Sequence, residues 1–319
     1  MERIILGTMN INYKYSSCLD PATENQEIVS GFLEASCSPI LDTASYYDEA
    51  ALGEILRRLP SRPYKIATKA NPWLDNDFTT GLLGQLSPAN LERQLENSLV
   101  KLGRDKADIF FLHCPDYETP IEKTLAAMQD LWRREKLDEW GLSNFSKDQL
   151  VEVLDVCSAH DYVQPRYYQG MYNLICRKVE EIFPLLVEHE MEFWAYNPLA
   201  GGLLTGKYRA DDERKNASRF CNNQIYQDIF WKKDILDAHN SFLTETGIED
   251  PTRFAFQWLD QLSKLRETDK IVLGVSTRKQ LDQNLFYFSS SSSESICGWR
   301  NEADELYARI ADISPNYFY

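Results

Sequence analysis

What the chain lacks narrows its possibilities first. No stretch reaches the ~18 apolar residues that a membrane-spanning helix requires. The opening MERIILGTMN has no long apolar core followed by a small-residue cleavage site, so no secretory leader is expected either. The seven cysteines, at 18, 37, 114, 157, 176, 221 and 297, are odd in number and form no CxxC pair. That reads as a reduced, cytoplasmic protein rather than a disulfide scaffold. The four histidines (113, 160, 189 and 239) show no metal-like spacing such as HxxxH, so no metal site is expected. Positive charge is also short. The net charge of −15 makes the chain as a whole repel nucleic acid and anionic membranes, and neither is expected as a partner. An anionic cofactor would need a local cluster of Lys or Arg. Finally, no GxGxxG follows any apolar run, which argues against a doubly wound dinucleotide-binding sheet.

What is present is a regular alternation. Short apolar runs suited to buried strands occur at 3–9, 38–44, 64–70, 107–114, 138–144, 166–172, 192–199 and 270–276. Helical patterns fill the gaps at 25–36, 49–59, 87–103, 120–136, 146–160, 179–190, 250–263 and 278–288, with Pro184 interrupting the sixth. The third opens on a Ser-Pro cap signal, keeps Leu91, Leu95, Leu99 and Leu102 on one face and ends at Gly103. Eight strand–helix units predict an α/β fold of the (β/α)8 TIM-barrel type, as one domain over residues 1–319. The 319 residues are long for an ordinary domain but usual for one barrel. After strand 7 comes a connection of some fifty residues, with helical content around 225–243; a loop that long tends to be functional. The run SSSSSES (289–295) reads as a flexible linker to a C-terminal helix around 301–310 and a tail.

Several strands end in a polar group: Asp42, Lys69, His113, Asn144, Gln169 and Tyr196. In a parallel barrel all these ends lie on one rim, where barrel enzymes keep their sites. A free tyrosine titrates near pH ~10 and is a weak acid. A lysine ammonium beside it favours the phenolate, and a carboxylate behind the lysine keeps the ammonium charged. A histidine can donate to a carbonyl oxygen. Together Asp, Tyr, Lys and His form a device for moving a proton to or from such an oxygen. Taken singly, Asp42 and Lys69 read equally well as a rim ion pair, His113 as a core histidine, and Tyr46 or Tyr47 as a packing aromatic. The coincidence of the four types is what points to catalysis, and the residues alone leave Tyr46 and Tyr47 both open. GGLLTGKY (201–208) contains GxxxxGK, but Tyr208 stands where a P-loop needs Ser or Thr for Mg²⁺. Its amides and Lys207 could still cradle a phosphate.

With these residues laid out, the chain resembles the aldo-keto reductase superfamily, most closely its aflatoxin-aldehyde reductase branch. The resemblance is carried by LGTM (6–9), LDTASYY (41–47), KIATKANPW (65–73), LHCPD (112–116), GLSN (141–144), YQGMYN (168–173), YNPLAGGLLTGKY (196–208), LGVSTRKQLDQN (273–284) and PNYF (315–318). It implies NADPH-dependent reduction of an aldehyde or ketone to the alcohol by hydride transfer. The family's tetrad carries over as Asp42, Tyr47, Lys69 and His113, its spacing selecting Tyr47 over Tyr46 as the proton donor. The resemblance further implies that Ser143, Asn144 and Gln169 hold the nicotinamide carboxamide and that Tyr196 stacks on the ring. Asn197, Leu199, Gly201, Leu204 and Lys207 would line the pyrophosphate. Ser276, Gln280, Gln283 and Asn284 match the adenosine segment, where Arg278 and Lys279 offer charge to a 2′-phosphate and favour NADPH over NADH.

Met9, Tyr46, Trp73, Tyr172, Arg219, Phe220 and Tyr319 are candidate substrate-pocket residues on the same analogy. Three departures stand out. DEAALGE follows the tyrosine where the family often has a glycine-containing stretch. The chain ends NYFY where the branch usually has NYFR, which removes an arginine that can pair with a substrate carboxylate. Cys114 follows His113 where the branch often has alanine, and reads as a packing residue. The branch is often dimeric, so a homodimer is the expected assembly. Some barrels of the superfamily are NADPH-binding regulatory subunits with little turnover. Those carry extra segments, and this chain opens directly on its first strand. A dedicated biosynthetic-pathway carbonyl reductase is the other alternative, because substrate choice lives in the loops.

Overall fold

The structure is a computed structural model that describes residues 2–11, 21–74, 80–210, 220, 224–289 and 296–318. Eight parallel strands close into a barrel in chain order: β1 Ile4–Gly7, β2 Ile40–Asp42, β3 Lys65–Ala70, β4 Ala107–Leu112, β5 Leu137–Ser143, β6 Tyr167–Met171, β7 Glu192–Tyr196 and β8 Lys270–Gly274. The ring closes where β1 pairs with β8, Ile4 opposite Ile271 through Gly7 opposite Gly274. All eight predicted strands are present, and the predicted barrel is the fold.

Helices α1 Pro21–Ala35, α2 Glu49–Arg58, α3 Pro88–Leu102, α4 Ile121–Arg133, α5 Lys147–Ala159 and α6 Phe183–Glu188 alternate with the strands up to β7. The cap signals predicted for α3 are in place, although Ser87 makes no side-chain capping bond. Pro88 opens α3, and Gly103 closes it in the left-handed conformation at φ 68°. Ser146 and Gln149 form a reciprocal capping box at α5. Two helices deviate from their periodicity. Over 178–182 the chain winds as a 3₁₀ turn and α6 begins only at Phe183, because Pro184 is tolerated in a first turn and nowhere later. The helix expected at 250–263 is α9 Pro251–Gln257 followed by one π turn, Trp258–Leu262. The long connection after β7 holds α7 Gln224–Phe230 and α8 Lys233–Thr246; α10 Arg278–Ser289 and α11 Arg300–Ile310 complete the order. The serine run lies outside the described residues from 290 onward.

Side chains alternate across each strand, and that parity places the site. Ile5, Ala67, Ile109, Phe111, Tyr167, Trp194 and Val272 pack inside the barrel. Two residues further along the same strands, still facing inward, come Gly7, Lys69, His113, Gln169, Tyr196 and Gly274. The opposite parity packs against the helices in the larger core. Arg177 ties the C-terminal helix to this scaffold: its guanidinium lies 4.4 Å from the Trp258 ring centre and 5.0 Å from that of Tyr307, and it pairs with Asp304 at 2.6 Å.

His239 of α8 is buried, and burial, reinforced by the charge of Arg209, lowers its imidazole to about 4. The unfolded chain therefore binds a proton near pH ~6.5 that the native state refuses until about 4. Stability from this group is full above ~6.5 and is lost as the pH falls towards 4, by about 3 kcal/mol at most. Urea unfolding at several pH values is expected to show a shallower acid loss for His239→Leu than for the wild type.

Candidate active site

Asp42 and Lys69 form the floor. Both are buried, and Lys69 Nζ donates to Asp42 Oδ1 at 2.6 Å and to the Thr43 carbonyl at 2.8 Å. Gln169 Nε2 donates to the same Asp42 oxygen at 2.9 Å. Burial lowers the lysine pKa, and Asp42 works against that, so the pair keeps the ammonium charged only by staying together. The segment between β2 and α2 is pinned by backbone bonds from Thr43 to the Ala67 carbonyl (2.8 Å) and from Ser45 to the Lys69 carbonyl (3.0 Å). A tight turn, Tyr47 N–H to the Ala44 carbonyl at 2.8 Å, then lifts Tyr47 over the floor. Lys69 Nζ lies 5.7 Å from the centre of the Tyr47 ring. The tail of this stretch replaces glycine with a helix start: Asp48 caps α2 through the Ala51 N–H at 3.1 Å.

His113 follows β4 and closes the third side. Its ring meets Tyr47 edge-on at 6.2 Å and Trp73 at 5.0 Å. Burial, aided by the Lys69 charge, holds its imidazole well below the usual range, so it is neutral at physiological pH. Its Nδ1 is buried without a hydrogen-bond partner among the described residues. Tyr46 turns away from Lys69 towards Trp73, with ring centres 5.6 Å apart. Cys114 is buried, and burial raises its thiol far above neutrality, in keeping with packing and not nucleophilic chemistry.

Asp42, Tyr46, Tyr47, Trp73 and His113 line a cavity of about 870 Å³. Ser143, Asn144, Gln169 and Tyr196 line it as well. The Asn144 amide donates to the His113 carbonyl at 2.9 Å and accepts from the Tyr196 hydroxyl at 2.8 Å, linking three strand ends. Beyond Tyr196 the chain makes a run of left-handed residues: Asn197, Ala200, Gly201 and Gly202 at φ 61°, 49°, 67° and 97°. Asn197 holds this bend by accepting from the Gly201 N–H at 2.8 Å. A Cβ at Gly202 would meet nothing within 4 Å, so the wall is open on the cavity side. Leu199, Gly201 and Lys207 of this stretch line the cavity, together with Ser276, Gln280, Gln283 and Asn284 and with Met9.

The structure departs from sequence expectation at several positions. Tyr172 lies behind the sheet, fully buried against Phe183, Phe193 and Trp258, with its hydroxyl on Glu180 at 2.8 Å. It stands three residues past inward-facing Gln169, so its parity turns it away from the cavity. Phe220 and Leu204 are fully buried and do not line the cavity; Phe220 packs against Tyr208 and Trp231 behind the loop. Arg278 is turned away as well. Its guanidinium donates to Asp282 at 2.8 Å and to the Glu27 carbonyl at 3.2 Å, and rests in the notch left by Gly31 of α1, where a Cβ would come within 2.4 Å of it. Arg219 and Tyr319 lie outside the described residues. Asn10, Gly7 and Gly274 line the cavity without having been singled out; the two glycines share the inward parity, which was the available signal. Thr205, Tyr208, Tyr226 and Thr252 come from the long connection and α9, where no periodicity points to a cavity.

A closed parallel barrel that gathers a lysine–carboxylate pair, a phenol and a neutral imidazole at the strand ends beside a cavity has the layout of a barrel enzyme. The comparisons carry this further. The sequence matches the Aldo/keto reductase family over residues 3–297. It is 36% identical to aflatoxin B1 aldehyde reductase member 2 of Mus musculus, over 98% of this chain and 87% of that protein. It is 35% identical to aflatoxin B1 aldehyde reductase member 4 of Homo sapiens, over 98% and 96%. Among solved structures, the glycerol dehydrogenase AKR11B4 from Gluconobacter oxydans superposes with a TM-score of 0.71 over 99% of this chain and 94% of that one; at 22% identity this bears on the fold alone. The chain belongs to the aldo/keto reductase family, whose members are oxidoreductases acting on carbonyl compounds. Among the described residues no helix is long and apolar enough to cross a membrane, and no group of three or more His, Cys, Asp or Glu could hold a metal ion.

Proposed function

We propose that this protein reduces an aldehyde or ketone to the alcohol with NADPH, Tyr47 donating the proton. The observation that carries the reading is the Lys69 ammonium, held at 2.6 Å from Asp42 and 5.7 Å from the centre of the Tyr47 ring, with Asp42 and Tyr47 both lining the cavity. The cavity suits a dinucleotide: a Cβ at Gly202 of its left-handed wall would meet nothing within 4 Å, and buried amides and hydroxyls line it. Ser143, Asn144 and Gln169 would hold the nicotinamide carboxamide, Tyr196 would stack on the ring, and the 197–207 bend with Lys207 would take the pyrophosphate. Gln280, Gln283 and Asn284 would take the adenosine end. When bound, NADPH supplies the hydride.

The protein's own part is proton management. Neutral His113 donates a hydrogen bond to the substrate carbonyl and fixes its oxygen near the phenol. Tyr47 gives its proton to that oxygen as charge develops there, and the ammonium beneath stabilises the phenolate left behind. Asp42 keeps Lys69 charged and in place. Tyr46 and Trp73 present an aromatic wall beside His113, which suits apolar or aromatic carbonyl compounds. The full-length likeness to aldehyde reductases supports an aldehyde as the substrate class. We further propose a homodimer, as in the branch the chain resembles, and a cytoplasmic setting.

A panel of aromatic, aliphatic and acidic aldehydes and ketones, with NADPH and NADH side by side, tests this reading. Many turnovers per site are expected; fewer than one would overturn it in favour of a cofactor-binding subunit. Because Arg278 is docked on α1, Arg278→Leu is expected to leave the ratio of NADPH to NADH dissociation constants unchanged in fluorescence titrations. A collapse of that ratio would show that the guanidinium leaves its notch to meet a 2′-phosphate.

A further inference from the structure

The residue that follows the Asp48 cap is not a solvated helix start. Glu49 is fully buried, between α2, α3 and β3. A buried carboxyl is costly unless its surroundings use it. One oxygen, Oε1, accepts from the Thr68 hydroxyl at 2.5 Å. The other has no close hydrogen-bond partner among the described residues, but the Ser98 hydroxyl faces it from α3 and favours the carboxylate. Thr68 immediately precedes Lys69 and, by strand parity, faces the helices while Lys69 faces the barrel interior. On the other side, the Glu49 N–H donates to the Tyr47 carbonyl at 3.0 Å. The contacts therefore close a ring: Tyr47 to Glu49 through the backbone, Glu49 to Thr68 through the side chains, Thr68 to Lys69 along the strand, and Lys69 back to the Tyr47 ring at 5.7 Å.

We propose that Glu49 is a positioning residue that sets the height of Tyr47 over Lys69 by riveting the tyrosine turn to β3. Backbone bonds from Thr43 to Ala67 and from Ser45 to Lys69 already hold the start of the turn on β3; Glu49 adds a side-chain tie on the outer face of β3, at residue 68, from the far side of Tyr47. Asp48 bonds within its own helix, and the Ser45 hydroxyl joins Gln94 at 3.1 Å and Asn71 at 2.8 Å. The carboxyl lies in the field of two ammonium groups, Lys69 from β3 and Lys101 from α3, while burial favours its neutral form. Either form keeps an oxygen for Thr68, so the tie does not depend on ionisation. The inference rests on Tyr47 being the proton donor.

Two readouts keep the two ideas apart. The first is the titration of the Tyr47 phenol, taken as the ultraviolet difference between each protein and its Tyr47→Phe counterpart; it needs no turnover. Glu49→Ala is expected to raise the midpoint by about one pH unit, because a phenol further from the ammonium loses its help. Glu49→Gln, whose amide oxygen still accepts from Thr68, is expected to restore the wild-type midpoint. The second readout is kinetic: Glu49→Ala is expected to lower kcat by about 10²-fold, as a displacement of ~1 Å at a reacting group can, with the NADPH dissociation constant unchanged. Should Glu49→Ala fail to fold, Thr68→Val removes the same tie and is expected to move both readouts the same way. A wild-type midpoint and kcat in Glu49→Ala or Thr68→Val would overturn the rivet, as would a Gln variant that fails as Ala does. An inactive wild type would instead overturn the proton-donor reading, and the phenol titration would still decide the positioning role.

Discussion

Tyr47→Phe is expected to lower kcat for carbonyl reduction by about 10²–10⁴-fold while the dissociation constant for NADPH stays at its wild-type value. The substitution keeps the ring, so the edge contacts with Tyr46 and His113 and the position over Lys69 persist. Only the hydroxyl is lost, and with it the acid that protonates the carbonyl oxygen. Steady-state kinetics together with fluorescence titration separate the two effects. Wild-type turnover in this variant would remove Tyr47 from the chemistry, whatever the geometry around it.

The second large effect is expected from Lys69→Met. Methionine fills a similar unbranched volume, so packing against Phe111 survives, but the charge does not. Turnover should be undetectable, because no cation remains beneath the phenol. Stability should fall too, by about 3–5 kcal/mol, because Asp42 is left as a buried carboxylate with, among the described residues, only the Gln169 amide donating to its Oδ1. Urea unfolding of Lys69→Met, Asp42→Asn and the double variant distinguishes this from general damage. In the double variant the orphaned charge is gone, so stability should recover while activity stays lost. A single lysine variant that is as stable as the wild type would mean that the pair contributes no net stability to the fold.

Much of this was legible in the sequence because strands have a period of two and end where polar residues begin. Asp42, Lys69, His113, Gln169 and Tyr196 each stand at the end of an apolar run, so a barrel reading gathers them on one rim. Parity also explains the error at Tyr172: a motif places it near the pocket, but three steps beyond Gln169 the side chain points to the helices. Periodicity could not choose between Tyr46 and Tyr47, which lie in a turn; the backbone bond from Tyr47 to Ala44 decides which ring covers Lys69. The resting place of Arg278 on α1 was not legible for a different reason. A cation near an expected phosphate looks committed to it until the acidic α1, with its glycine notch, competes for the same guanidinium. Glu49 was invisible because an acidic residue after a cap reads as a solvated helix start favoured by the helix dipole. Only the tertiary structure shows that this helix start is buried against β3.

The central claim is that this protein moves a hydride and a proton onto a carbonyl group. The measurement that tests it most directly uses NADPH deuterated at both nicotinamide C4 positions, an aromatic aldehyde and mass analysis of the alcohol. The account predicts one deuterium on the carbinol carbon of every product molecule, formed over many turnovers and lost with Tyr47→Phe. Alcohol formed without that label, or labelled cofactor bound tightly with no alcohol formed, would contradict it.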